Sequence, residues 1–274
     1  MIQEAIGLSE RIEKKTPKFK VGAQILADVA KSLGRQGLLP KKLPVEVHAL
    51  PPKVPKEMPE IKGSLERAVA EFNTRPHTPE LINETFETIW YVRGRLVGLT
   101  FEVTPCPYTK EELADLKAEG RRVGFLPPKL ATQQVRHRLG EIFPKMQSHS
   151  IHKDNLVTND EDPSGWFDYE AEIDAPYTNT TEEQLRDKLE EDERRLLSLN
   201  QYIIAGQDSK LFTEKYLDET GTSVRLGSRK QDRDKDRVVK AYFSKDGDLH
   251  VVWNLGERVS NPCIGGRSFR VRRA

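Results

Sequence analysis

Cysteine is almost missing from this chain. Cys106 and Cys263 stand far apart and neither belongs to a CxxC pair, so a disulfide framework is excluded. No run of about eighteen apolar residues occurs, which removes a helical membrane span. The opening "MIQEAIGLSERIEKK" lacks the apolar centre of a secretory leader, so a cytoplasmic location is expected. An excess of one charge is missing too: 44 Lys plus Arg against 43 Asp plus Glu leave a net charge of +1. No global field then draws the protein to DNA or to an anionic membrane, and nucleic-acid contact would have to rest on local patches. Familiar catalytic signatures are not found: no GxSxG elbow, no GxxxxGK[ST] loop and no GxGxxG after a strand.

What is present is punctuation and periodicity. In the first 38 residues Val21, Ile25, Val29 and Leu33 recur at helical spacing, ending at Gly34 and Gly37. Residues 39–60, "LPKKLPVEVHALPPKVPKEMPE", hold six prolines and read as an extended linker. Residues 61–158 read as a short helix at "SLERAVAEFN" followed by strand, helix, strand and helix. The first strand is "IWYVRGRLVGLTFEV" (89–103), rich in β-branched and aromatic residues. The helix after it opens on a capping box, Thr109 with Glu112, and closes at Gly120.

Residues 159–274 form the C-terminal region. "GWFDYEAEIDAP" (165–176) alternates, with Phe167, Tyr169, Ala171 and Ile173 on one parity and Asp168, Glu170, Glu172 and Asp174 on the other. A single helix is predicted over "TTEEQLRDKLEEDERRLLSLNQYI", capped by Thr181 and Gln184. Its buried stripe is Leu185, Leu189, Leu196 and Ile203, and its i,i+4 pairs are Glu182–Arg186, Glu190–Arg194 and Glu191–Arg195. "VVKAYFSKDGDLHVVWNL" is predicted as a hairpin turning at Asp246-Gly247, with Leu249, Val251, Trp253 and Leu255 on its inner face. A last short strand is expected in "GGRSFRVRRA". The fold class that follows is α+β: an N-terminal helical segment, a proline-rich linker, then a mixed αβ body with an antiparallel C-terminal hairpin.

From about Thr85 onward, ordered blocks carry a likeness: "NDEDP" (159–163), "WFDYEAEIDAPYTNTTEEQLR", "GQDSKLFTEKYLDE", "LGSR" (226–229), "AYFSKDGDLHVVW" and "GGRSFRV". Over roughly residues 85–274 the chain resembles a family of hypothetical proteins from uncultivated candidate-phyla-radiation bacteria. The resemblance implies a recurring module of a bacterial cytoplasm. It transfers no activity and no functional residue, because none is assigned to the family.

Three groups of residues are candidate sites. The carboxylates Asp168, Glu170, Glu172 and Asp174 are candidates for a metal-dependent hydrolase or nuclease. Same-face strand neighbours lie about 7 Å apart, too far for one ion to gather all four. The alternative is a face paired to a basic strand, with Arg93 and Arg95, or Arg270 and Arg272, as candidates. His149 and His152, with Asp154 near, have a spacing that ligates metal on a helix, but they stand in a polar, loop-like stretch. Arg225, Arg229, Lys230, Arg233, Arg267, Arg270 and Arg272 are candidates for nucleic-acid phosphates. Aspartates interleave them and no aromatic platform interrupts them in sequence. The glycines of "CIGGR" would let backbone amides approach a ligand. Taken together, these features predict a non-catalytic binding module that needs no cofactor. Its expected ligand is nucleic acid, with a metal-dependent hydrolase and a protein–protein adaptor as the alternatives.

Overall fold

The computed structural model describes residues 58–132, 136–146, 157–158, 164–232, 235–255 and 258–270. The predicted helix before residue 38 and most of the linker lie outside these residues. The linker's end does not: Met58 already opens helix α1 (Met58–Thr74).

Helix α2 (Pro79–Val97) follows after a short turn. The Thr78 side chain accepts from the Leu81 N–H at 3.3 Å and Pro79 takes the first helical turn, where its missing N–H costs nothing. Ile82, Phe86, Ile89, Trp90 and Arg93 are buried along one stripe, and Gly98 ends the helix in the left-handed region at φ 67°. This corrects the predicted strand over 89–103. Its apolar residues follow the 3.6-residue period of a helix already capped upstream at Thr78, and tertiary burial overrides their β propensity.

Helix α3 (Lys110–Ala118) carries the predicted capping box, with Thr109 N–H to Glu112 at 2.7 Å and Glu112 N–H to Thr109 Oγ1 at 3.2 Å. Strand β1 (Arg121–Leu126) comes next, then the short helix α4 (His137–Ile142) and β2 (Val157–Thr158). Strand β3 (Gly165–Glu170) pairs antiparallel with β1, setting Arg121 opposite Glu170 and Val123 opposite Asp168.

The single helix expected over 181–203 is two helices with a strand between them. Helix α5 (Glu182–Glu191) keeps the predicted Thr181–Gln184 box. The chain then turns through Glu193 at φ 54° and enters β4 (Arg194–Leu196). Helix α6 (Leu199–Thr213) restarts on its own capping box, Ser198 with Gln201. Leu185, Leu189 and Leu196 still pack together, but across the break rather than along one helix.

The larger sheet is built from β5 (Ser223–Asp232), β6 (Lys235–Phe243) and β7 (Leu249–Leu255), in the order β2-β5-β6-β7, with β8 (Ile264–Gly266) parallel to β5. The predicted hairpin is β6–β7, turning at Ser244–Asp248. Strand β9 (Ser268–Arg270) pairs antiparallel with β4. The architecture is α+β. Ala241, Phe243, Leu249 and Val251 from the hairpin meet Tyr202, Ile203 and Ala205 of α6 and the aromatic cluster of Phe72, Phe86, Trp90 and Phe125 in one core. Each large side chain so buried contributes about 1.5–3 kcal/mol. No helix among the described residues is long and apolar enough to cross a membrane.

Candidate functional site

Alternation along β3 holds, but neither face is wet. Phe167 and Tyr169 enter the apolar core, and Asp168 and Glu170 are buried on the opposite side, 0% and 8% exposed. The strand ends at Glu170, so Glu172 and Asp174 lie beyond it and are exposed. The row of four carboxylates is therefore two buried acids and two surface ones, with Asp174 accepting from the Thr220 hydroxyl.

Arginines cover the buried pair. Arg121 stands directly opposite Glu170 and diagonal to Asp168. Its guanidinium donates Nη1 to Glu170 Oε1 at 2.6 Å and Nε to Asp168 Oδ2 at 2.5 Å, so one cation bridges both acids. Arg194 of β4 also donates to Asp168 Oδ2. The β9 backbone completes the shell. Arg270 N–H donates to Asp168 Oδ1 at 2.9 Å, Ser268 N–H to Glu170 Oε2 at 2.7 Å, and the Ser268 hydroxyl to Glu170 Oε1. Burial pushes the Asp168 carboxyl up, but Arg121, Arg194 and the Arg270 N–H outweigh it and hold the group below the ordinary carboxylate range.

A second buried unit adjoins the first. Arg267, fully buried, donates Nε and Nη2 to Asp218 at 3.1 and 2.9 Å, and Nη1 to the Glu170 carbonyl at 2.7 Å. Tyr202 donates its hydroxyl to Asp218 at 2.8 Å, and burial, together with Asp218, raises its phenol well above the usual value. A third pair, Arg93 Nη2 to Asp208 Oδ1 at 2.6 Å, joins α2 to α6, with Arg93 also lying over Trp90 and Phe143. Burial leaves Asp208 raised, against the pull of Arg93.

These contacts place the predicted acidic site within the fold. Every oxygen of Asp168 and Glu170 accepts from an arginine, a serine or a backbone N–H, so both acids are engaged inside the fold. The covering arginines are Arg121 and Arg194, not the side chains of Arg93, Arg95 or Arg270. Among the described residues, no three His, Cys, Asp or Glu gather where a single ion could hold them. His149, His152 and Asp154 lie outside the described residues.

The predicted basic patch is dispersed. Arg225 is buried and donates to the carbonyls of Val259 at 2.5 Å and Ile264 at 3.4 Å; burial lowers its pKa, with Glu182 opposing. Arg267 is spent on Asp218. Neither reaches a phosphate, because folding has given their donors to interior acceptors. Arg229 shares the Glu182 Oε1 atom with Arg186. Lys230 Nζ sits 3.9 Å from the Trp253 ring centre. The Arg270 side chain is exposed, and Arg233 and Arg272 lie outside the described residues. Nor do the glycines of "CIGGR" admit a ligand: Gly266 N–H donates to the Pro176 carbonyl at 3.0 Å, and a Cβ on Gly265 would overlap that same carbonyl.

The hairpin assembles a surface that the linear order hides. Tyr242 stands opposite His250, and Lys240 opposite Val252, all on the side of the sheet away from Ala241, Phe243, Leu249 and Val251. The Tyr242 and His250 rings are parallel within 7° at 4.6 Å between centres. His250 is exposed, and Lys240 and Tyr242 are half-buried. A turn centred on Gly247 dictates this pairing, so it was legible from the hairpin alone.

Fold and site together define an α+β protein with arginine–carboxylate pairs inside and an aromatic–cationic sheet face outside. The chain matches no protein-family model, no curated protein and no solved structure.

Proposed function

We propose that this chain is a non-catalytic binding module that contacts nucleic-acid phosphates. One observation carries the reading: the outer face of the β6–β7 hairpin sets Lys240 beside a stacked Tyr242–His250 pair, while the acids that would serve chemistry are closed by arginines. A cation beside aromatic rings on a sheet face suits nucleic acid better than the separated arginines do. The metal-dependent hydrolase is disfavoured because the row is divided: Asp168 and Glu170 are buried and held by arginines, Ser268 and backbone N–H groups, while Glu172 and Asp174 lie beyond the strand at the surface. A bacterial cytoplasmic setting belongs to the same proposal, supported by the ordered sequence blocks from Thr85 onward.

The test is fluorescence anisotropy of labelled RNA and DNA with the full chain at two salt concentrations. Binding that weakens with salt, with a log–log slope reduced by about one in Lys240→Ala, is expected. No binding, or binding indifferent to salt, refutes the proposal. Specific recovery of a protein partner from native cells in its place favours the adaptor.

A further inference from the structure

The Tyr242–His250 pair is a column with one end inside the sheet and one at its margin. Tyr242 belongs to β6, which has β5 on one side and β7 on the other. His250 belongs to β7, the terminal strand in the β2-β5-β6-β7 order, and its side chain is exposed. The near-parallel rings, 4.6 Å apart on neighbouring strands, stack on each other across the hairpin. A third flat ring can continue such a column only at the His250 end, since the Tyr242 end runs back over the sheet.

Charge is uneven around the column. Lys240 lies two residues before Tyr242 on the same face, opposite Val252, whereas the turn at the other end carries Asp246 and Asp248 against Lys245, one negative charge in excess. An anionic group beside the column is thus drawn toward Lys240 and repelled from the turn. One flat ring and one anion, held side by side, is the chemistry of a nucleotide.

Resting on the reading above, we infer that the hairpin face binds single-stranded nucleic acid, with an unpaired base stacked on His250 and its backbone phosphate beside Lys240. A duplex keeps its bases stacked on each other and offers no free base face, so the column selects unpaired strands. The three participants have separate roles. His250 supplies the ring that the base covers, Tyr242 backs that ring from within the sheet, and Lys240 meets the phosphate.

The experiment uses the full chain with three labelled decamers: a single strand, the same sequence as a duplex, and an abasic single strand. The single strand should bind at least about tenfold tighter than either of the others. His250→Ala should weaken it about tenfold and remove the preference over the abasic strand, while His250→Phe restores both. Because His250 is exposed, an unchanged melting temperature is expected in both variants and checks their folding. If His250→Ala binds as the unaltered chain does while Lys240→Ala is weaker, the stacking inference fails and phosphate contact stands. Equal affinity for all three decamers also overturns it. If no decamer binds, the wider reading falls with it.

Discussion

Asp168→Asn alters one functional group and leaves the side-chain shape in place. The carboxylate takes hydrogen bonds from Arg121 Nε, Arg194 Nη2 and the Arg270 N–H, all from groups that only donate. An asparagine has one acceptor oxygen and one NH2, so in either orientation a donor faces a donor. Removing one partner of a buried ion pair typically costs about 3–5 kcal/mol. Arg121 keeps Glu170, and Arg194 is left with the Ser268 hydroxyl at 2.9 Å, so one guanidinium loses its carboxylate entirely. That places the expected loss near the lower end, about 3 kcal/mol. In urea, with a slope of about 2 kcal/mol per molar, the midpoint should fall by about 1.5 M at unchanged slope.

The same pair sets a dependence on acid. Asp168 is held below the ordinary carboxylate value of about 3.9, so its stabilisation is complete above about pH 4 and fades as pH falls through the lower folded-state value. The variant should lose stability less steeply in that range. An Asp168→Asn midpoint equal to that of the unaltered chain would refute the reasoning, since it would mean that the arginines do not depend on this charge.

Three further outcomes follow from the contacts. Gly265→Ala forces a methyl against the Pro176 carbonyl that also binds Gly266 N–H, and should cost about 1–3 kcal/mol in urea unfolding. Burial holds the His77 imidazole below its usual value, with Lys117 and Arg122 adding to it and a hydrogen bond to the Phe72 carbonyl opposing. Stability should therefore drop as pH falls below about 6.5, and His77→Gln should flatten that slope in melting curves taken from about pH 7 to pH 5. Thr181→Ala removes the acceptor for the Gln184 N–H and should cost about 1 kcal/mol, read from the same urea midpoints.

What the sequence disclosed was whatever depends on neighbours along the chain. The boxes at Thr109 and Thr181 and the turn at Gly247 each need only a few adjacent residues, and all three are formed. The Ser198–Gln201 box was equally readable, and would have divided the long predicted helix had the leucine stripe not run across it. Ile89 to Val97 misled because composition outweighed position, although the Thr78-Pro79 start lay in plain view. The burial of Asp168 and Glu170 is different in kind. Parity along β3 shows that two faces exist, but what covers them comes from β1, β4 and β9, as far as a hundred residues away. Nothing local marks Arg121 and Arg194 as their partners while leaving Arg95 and Arg270 exposed.

The Asp168–Glu170 cluster also sets an order of events during synthesis. Arg121 emerges first, the two acids some fifty residues later and Arg194 after them, but Ser268 and the Arg270 N–H come last. Until residue 270 is outside the ribosome, two carboxylates destined for the interior lack part of their shell, and the cheaper place for them is water. Strand β3 should then dock only after residue 270 has emerged, and the segment from Arg121 onward should stay open to proteases until it does. A feature that looks like internal bracing in the finished molecule acts, while the molecule is being made, as a latch.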